Sequence, residues 1–204
     1  MAKIQTVDYE AIPQKASNMR DLGMQLNNEL KTAYQSIADM HNSWYGKRYC
    51  SLALDFNAMT PSLNEMLNLV VGEIPYALET VANNYSMVDQ GANIVGANKT
   101  EPTRIADLAI PTDIGMRFIT EEVSMVQTNV ATNFDKSKEL MNNIESVLGQ
   151  VQWESEAAEA FRAKFKSLKN SIVASIDNIR SEFVKLMQQA QDDIQNAENA
   201  NTVQ

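Results

Sequence analysis

Apolar side chains recur at alternating intervals of three and four residues along most of this chain, which is the spacing of one face of an α-helix. Four stretches of this kind can be traced. The first begins at Ile12, with Pro13 in a position that suits a first helical turn. Its apolar positions are Ala16, Met19, Gly23, Leu26, Leu30, Ala33, Ile37 and Met40. They predict a helix of about 28 residues, about 42 Å long at about 1.5 Å per residue.

The second stretch resumes after a polar break at residues 41–46 and runs to Val88. Its apolar positions are Leu52, Phe56, Met59, Leu63, Leu67, Val70, Ile74, Ala77, Val81, Tyr85 and Val88. Pro61 and Pro75 fall inside it, but the period stays in phase across both, so we expect a bend there and not a helix end. Since the break is short, the two helices are expected to run antiparallel as a hairpin.

The third and fourth stretches repeat the first two. A shift of 109 residues places Trp44 on Trp153, and the apolar positions that follow the two tryptophans also coincide. The repeat predicts a third helix from near Met116 and a fourth helix after a turn at residues 149–155. The Asn-rich residues 199–204 are expected to fray.

Residues 91–115 lack the helical period and hold two of the five prolines. They predict a linker between a first hairpin at residues 1–90 and a second at residues 116–204. A second hairpin packed head-to-tail must begin at the far end of the first, and a span of about 45 to 55 Å takes about 15 extended residues, so the linker is long enough. Three apolar linker residues are expected to lie along the bundle: Ile105, Leu108 and Ile110. The predicted fold is all-α, with two helical hairpins forming an intramolecular antiparallel four-helix bundle.

Each predicted hairpin turn carries a tryptophan. The first turn has Trp44 with Gly46 two residues later, and the second has Trp153 with Ser155 at the equivalent position. Glycine and serine are both accepted at helix N-caps, serine through its hydroxyl and glycine through its backbone freedom. As a structural feature, each tryptophan would plug a hairpin corner and bury a large apolar area.

The charge pattern argues against several functions. The net charge is −9, and no stripe of lysine and arginine stands out, so binding to nucleic acid is not expected. The single cysteine, Cys50, excludes an intrachain disulfide and is expected to be packed. The N-terminus lacks the apolar core of a signal peptide, and no run approaches the ~18 apolar residues of a membrane span.

Candidate chemistry for an enzyme is missing from the sequence. No nucleophile with a base, metal-ligand cluster or glycine-rich phosphate loop can be recognised, so we expect no catalytic activity and no cofactor or metal. His41 is the one histidine and is interpreted as a polar turn residue. The adjacent acid pairs point to different sides of a helix and are interpreted as solvated surface.

Two long helices joined by a Trp-x-Gly turn resemble the WXG (ESAT-6-like) family, the helical-hairpin proteins that type VII (Esx) secretion systems export. The family has a bipartite export signal, in which the Trp-x-Gly turn of one subunit cooperates with a Tyr-x-x-x-Asp/Glu pattern after the second helix of its partner. Tyr85 and Asp89 match that pattern where the second helix runs out. The second repeat has Ile194 and Glu198 there, so the tyrosine is lost and the acid is kept.

The resemblance implies two WXG-type hairpins fused as a monomeric pseudo-dimer. It implies synthesis in the cytoplasm of a Gram-positive bacterium and secretion without a cleavable signal peptide, through contact with the ATPase component of the secretion machinery. The export-signal and turn residues would be Trp44, Gly46, Tyr85, Asp89, Trp153, Ser155 and Glu198.

Two other functions fit the same residues. The chain could be a helical partner or chaperone that escorts a larger secreted toxin, which uncovered apolar positions would favour. It could also be a self-assembling structural scaffold, for which a concentration-dependent oligomer would be the sign. Tyr85 continues the apolar period, so a purely structural role in the core is a second interpretation of that residue.

Overall fold

The computed structural model describes residues 7–112 and 115–201, and this part of the chain is mostly helical. Its elements are α1 (Ile12–Asp39), a 3₁₀ turn (Met40–Asn42), β1 (Trp44–Tyr45), α2 (Lys47–Leu67), a π-helical turn (Asn68–Glu73), α3 (Ile74–Gln90), β2 (Arg117–Phe118), α4 (Thr120–Gln150) and α5 (Glu156–Ala200). The helix α2, the π-helical turn and α3 follow one another without a break, and we call them the α2–α3 rod. The predicted all-α class is confirmed.

The helix boundaries follow local sequence signals. Helix α1 has the 28 residues that the apolar spacing predicts, with Pro13 in its first turn. Ser155 caps α5, because its hydroxyl oxygen accepts a hydrogen bond of 3.1 Å from the backbone N–H of Ala158. Gly46 caps α2 with a φ of +118°, a backbone conformation that residues other than glycine rarely adopt. At the far end of α5 the helix continues to Ala200, so fraying does not begin at residue 199; residues 202–204 lie outside the described residues.

The α2–α3 rod changes its buried face at the π-helical turn. Up to that turn the predicted apolar positions are buried, among them Phe56 and Leu63. Beyond it the buried positions are Leu78, Ala82 and Ser86, each one residue later than predicted. A π-helical turn holds an extra residue, so every later side chain is rotated by about one helical position.

The prediction that the apolar period stays in phase across Pro75 was therefore wrong, although the rod does not end there. Tyr85 and Val88, predicted on the buried face, are exposed, with Val88 at 89%. Pro75 has no N–H to donate, and its ring crowds the carbonyl of Val71 four residues earlier. A widened turn around Val71 is one way for a helix to absorb that conflict.

Polar contacts give the relative direction of the helices. Helix α1 packs against α3 and α4, α5 packs against α2 and α4, and in each case residue numbers rise on one helix as they fall on the other. Contacts between α1 and α4 are Lys15 with Gln150 at 2.7 Å, Glu29 with Lys136 at 3.5 Å, and the neighbouring Ser43 with Glu122. Contacts between α2 and α5 are Arg48 with Asp193 at 3.0 Å and Glu65 with Lys164 at 3.1 Å. The turn of each hairpin thus lies at the open end of the other.

Both hairpins contribute to one apolar core. Phe56 of α2 stacks on Phe134 of α4 with ring centroids 5.7 Å apart, which joins the hairpins at mid-length. The largest fully buried side chains are Trp44, Tyr49, Phe56, Phe134, Phe165 and Phe183. Within the first hairpin, the hydroxyl of Tyr49 donates to the carbonyl of Ile37 at 3.0 Å, so this buried phenol is paired.

Residues 91–112, which we call the strap, form no helix or strand and run back along the first hairpin. Their contacts pass from Ser86 near the end of α3 to Cys50 near the start of α2. Ile105 and Leu108 of the strap are buried against the first hairpin, as predicted. Ile110 is 40% exposed, so its prediction was wrong. The strap carries the chain from one end of the first hairpin to the other, where the second hairpin begins.

Candidate functional site

The first hairpin turn is closed over its tryptophan. Trp44 is 1% exposed, lies nearly parallel to Phe183 with centroids 5.9 Å apart, and meets Phe118 edge-on at 5.3 Å. Strand β1 pairs with β2 in an antiparallel register that sets Trp44 opposite Phe118. The carbonyl of Ser43 also accepts a hydrogen bond of 2.9 Å from the N–H of Ile119. A partner cannot reach Trp44 unless this turn opens.

The closed turn also meets the end of α5. Trp44, Gly46 and Ile194 line the same shallow crevice. Beside it, Arg48 donates to the carboxylate of Asp193, and this hydrogen bond holds the pKa of that carboxyl below its ordinary value. The first Trp-x-Gly turn is therefore adjacent to the α5 segment that bears Ile194 and Glu198, where the second repeat has lost its tyrosine.

The second hairpin turn is more open. Trp153 is only half-buried, with Phe161 tilted beside it at a centroid distance of 6.4 Å. Arg162 donates to the carbonyls of Val151 and Trp153 at 3.1 and 3.3 Å, which ties the turn to the first turns of α5. No strand of the described residues pairs with Trp153, in contrast to Trp44. Part of the indole is therefore left at the surface.

The predicted tyrosine and acid of the export pattern lie together on the outside of α3. Tyr85 is 37% exposed and Asp89 is exposed, and residues four apart share one face of a helix. The hydroxyl of Tyr9 donates to the carboxylate of Asp89, and this bond raises the pKa of Tyr9. Gln90 in turn donates to the Tyr9 oxygen at 3.1 Å. The acid is thus accessible but already has a neutral partner.

Contacts on α1 show which turn lies at this end of the molecule. Tyr9, ahead of α1, meets Asp89 of α3, and Arg20 farther along α1 meets Glu79. Lys15, between them, meets Gln150 at the end of α4. Tyr85 therefore lies near the level of the second turn, which begins directly after Gln150.

The predicted site residues consequently divide into two groups at opposite ends. One end holds Tyr85 and Asp89 together with Trp153 and Ser155. The other end holds Trp44 and Gly46 together with Glu198 of α5. Each end combines a turn of one repeat with the helix end of the other. Each end also lacks one residue of the full pattern, glycine at the first and tyrosine at the second.

Sequence reasoning missed the side chains that hold the strap. The amides of Asn57 and Asn64 each bond to both backbone polar groups of one strap residue, and Asn83 does the same at Val95. Asn57 and Asn64 are seven residues apart, immediately after apolar positions of the predicted face. Polar amides at heptad spacing beside an apolar face are the signal that could have found them.

A buried ion pair anchors the middle of the strap. Glu79 is 3% exposed and receives the guanidinium of Arg20, with one nitrogen–oxygen distance of 2.7 Å. Arg20 also donates to the carbonyl of Asn98 at 2.8 Å, and the N–H of Asn98 points to Glu79 at 3.3 Å. Glu79 raises the pKa of Arg20. Two of the three guanidinium nitrogens are thereby paired with the carboxylate and the strap backbone, while the buried Nε of Arg20 has no hydrogen-bond partner in the described part of the chain.

The described residues contain no group of three or more His, Cys, Asp and Glu side chains arranged to hold a metal ion. Among the helices of this part of the chain, none combines the length and apolar character that crossing a membrane would need. Comparison of the chain with protein-family models, with curated proteins and with solved structures gave no match.

Proposed function

We propose that this chain is a tandem WXG-like protein, in which two hairpins pack as an antiparallel four-helix bundle and leave the cell as a folded substrate of a type VII secretion system. The resemblance to the family rests on the paired Trp-x-Gly and Tyr-x-x-x-Asp patterns. The protein acts through contacts with other proteins, with no cofactor and no catalytic step. Its fused hairpins take the place of the family's dimer, so the chain works as a monomer.

The observation that carries the proposal is the outward placement of Tyr85 and Asp89 near the end of α3. The α2–α3 rod would bury Tyr85 if its apolar period continued unchanged, and the π-helical turn rotates it to the surface. A phenol and a carboxylate on one exposed helical face supply an apolar contact and a charge for a protein partner. This pair is the part of the motif that the secretion ATPase would read.

In this proposal the two tryptophan turns have different roles, one structural and one in recognition. Trp44 is sealed in the core, so its contribution to export is to hold the first hairpin in shape. Trp153 is half-exposed at the end that carries Tyr85, so it is the turn tryptophan that a partner of Tyr85 can also touch. The recognised surface is a composite of both repeats.

The test compares the culture supernatant and the cytosol for the intact chain and for Tyr85→Ala, Asp89→Asn and Trp153→Ala. Tyr76→Ala is the matched control, since Tyr76 is 42% exposed on the same helix but outside the pattern. We expect the three motif variants to accumulate in the cytosol and the control to be exported. Normal export of a folded Tyr85→Ala chain would contradict the proposal.

A second function is favoured by the apolar character of the same helix end. Met87 and Val88 of α3 and Ile94 of the strap are exposed, which is more apolar surface than one export motif requires. We propose as an alternative that a larger exported protein binds here and that this chain acts as its helical partner or chaperone. Co-purification of a stoichiometric partner that is lost with Val88→Asp would decide for this function.

Light scattering that gives the mass of a monomer would exclude a self-assembling scaffold.

A further inference from the structure

Between residues 102 and 111, every third residue of the strap faces the first hairpin. Pro102 and Pro111 are half-buried, Ile105 and Leu108 are buried, and the residues between them are exposed. A period of three is that of the polyproline II helix, whose backbone forms no internal hydrogen bonds. This part of the strap therefore presents one regular edge, and its backbone polar groups bond to the side chains of the hairpin.

Asparagine side chains pair with that edge at matching intervals. The amide of Asn57 donates to the carbonyl of Leu108 at 2.9 Å and accepts from its N–H at 2.7 Å. Asn64 makes the same pair of bonds with Ile105, at 2.9 and 2.8 Å. Cys50 continues the series, with its sulfur 3.6 Å from the carbonyl of Pro111.

The spacing explains why helix and strap stay in step. Seven residues of α-helix rise about 10.5 Å, and three residues of extended or polyproline chain rise about 9 to 10 Å. Positions 50, 57 and 64 of the rod consequently meet positions 111, 108 and 105 of the strap. Proline is tolerated at position 111 because the thiol there needs only the carbonyl.

This arrangement recognises a backbone and only a few side chains. Each asparagine satisfies both polar groups of one residue whatever its side chain is, so selectivity must come from the two buried apolar positions and their neighbours. Arg104, just before Ile105, shares a cavity of ≈ 470 Å³ with Glu65. Asp107, just before Leu108, shares a cavity of ≈ 240 Å³ with Lys31. Glu65 and Lys31 supply charges opposite to those of Arg104 and Asp107, and the open space beside the strap leaves room for a larger side chain at each of these two positions.

We propose that this groove is a binding site for an extended, proline-flanked segment of a partner protein, which the strap occupies in the isolated chain. The segment has apolar residues three apart, a basic residue just before the first and an acidic residue just before the second. The second hairpin offers no such site, because Lys166 and Val173 stand where Asn57 and Asn64 stand in the repeat.

The test measures the binding of a fluorescent synthetic peptide with the sequence of residues 99–112 by anisotropy. The full chain is used in three forms: intact, with the double change Ile105→Ser and Leu108→Ser that loosens the strap, and with Asn57→Leu and Asn64→Leu added to that change. We expect the loosened chain to bind the peptide at least about tenfold more tightly than the intact chain. The added leucines should remove that gain, while the matched control Lys166→Leu should keep it.

Two peptide controls examine the selectivity. A peptide with its arginine and aspartate exchanged should bind about threefold more weakly, and one shuffled to place its apolar residues at alternate positions should not bind. Equal binding of the shuffled peptide, or equal binding with and without Asn57 and Asn64, would overturn the proposal. Concentration-dependent dimers of the loosened chain with no peptide binding would show that the occupant is the strap of a second copy, and the partner segment would be wrong.

Circular dichroism checks that the loosened chain is helical. If it is not, the intact chain supplies a second measurement by hydrogen exchange. An excess of peptide should speed the exchange of the Ile105 and Leu108 amides of the chain's own strap, since the peptide takes their asparagine partners. Unchanged exchange at saturating peptide would count against the proposed site.

Discussion

The two hairpins have the same apolar pattern, but different chemistry closes their outer faces. The first hairpin is bridged by the strap, which is held by asparagine amides and by the Arg20–Glu79 pair. The second is bridged directly between α4 and α5 by three ion pairs: Asp135 with Arg180, Lys138 with Asp177, and Glu145 with Lys169. Directional amide pairs can hold a chain that belongs to neither helix, whereas these ion pairs join only the two helices themselves. The two hairpins therefore share the apolar pattern of the core and differ in how their outer faces are closed.

The turns differ in the same way. Trp44 is covered by the start of the second hairpin, through Phe118 and the short strand pair. Trp153 has no comparable cover among the described residues and stays half-exposed. The linker is the cause, because it delivers residues 115–118 to the first turn.

The largest effect expected from this difference is on stability. Trp44→Ala removes a fully buried indole and should lower the free energy of unfolding by about 3 to 5 kcal/mol. Trp153→Ala removes a half-buried one and should cost about 1 to 2 kcal/mol. Urea unfolding followed by circular dichroism measures both. Equal losses would mean that the two turns are packed alike.

The second largest difference is expected between the buried ion pair of the first hairpin and an exposed one of the second, in their contribution to the free energy of unfolding. Glu79→Gln leaves the guanidinium of Arg20 largely buried without its counter-charge and should cost about 3 kcal/mol. Glu145→Gln breaks a pair in which the Glu145 side chain is 44% exposed and should cost less than about 1 kcal/mol. The same unfolding experiment serves, repeated in high salt. A large, salt-sensitive loss for Glu145→Gln would contradict the ranking.

The third effect on stability is expected from the hydrogen bonds that Asn57 and Asn64 make to the strap. The double variant Asn57→Leu and Asn64→Leu removes four hydrogen bonds at the strap, and because water can replace some of them the cost should be about 2 kcal/mol. The amides of Ile105 and Leu108 should then exchange with solvent faster. Lys166→Leu, at the position of the second hairpin equivalent to Asn57, should change neither stability nor exchange in the strap.

Alkaline pH should separate the hairpins through their tyrosines, because all six tyrosines lie at or before Tyr85 and only the first hairpin can lose stability by ionising one. Burial raises the pKa of Tyr49 to about 12 and also raises that of Tyr34. The unfolded chain ionises its tyrosines near pH 10, so the stability contributed by neutral Tyr49 is complete below that pH and is lost as the pH rises from about 10 to 12. Unfolding titrations across this range should show the decline. Tyr49→Phe should flatten it; an unchanged slope would show that other groups cause it.

The sequence was sufficient to predict the parts of the fold that depend on regular apolar spacing, on a single capping residue or on chain length. Pro13 and regular apolar spacing defined α1, and Ser155 was identified as a cap from its place after the turn. The reach of the linker followed from chain length alone. These features depend on local preferences that a single residue or a count can express.

The winding of the α2–α3 rod at Pro75 could not be predicted, because several conformations are compatible with the local sequence. Pro75 could have bent the rod, ended it or widened a turn, and the sequence gives no free-energy difference among these outcomes. The strap packs closely on this turn, since a Cβ at Gly72 would lie only 2.7 Å from the carbonyl oxygen of Thr100. The outward position of Tyr85 followed from the widened turn, so the candidate site was only partly predictable.

The widened turn also means that the surface of α3 is set by helical winding as much as by residue type. If residues 68–73 took ordinary α-helical winding with the residue count unchanged, every later side chain would turn through about 100°. Tyr85 would then face inward and Ser86 outward, with no residue of the export pattern altered. Deletion of one residue from this turn would instead leave the same side chains exposed, because the turn holds the one residue that an α-helix would not. A substitution at Pro75 that lets the turn relax to an α-helix would therefore hide the export pattern without touching it.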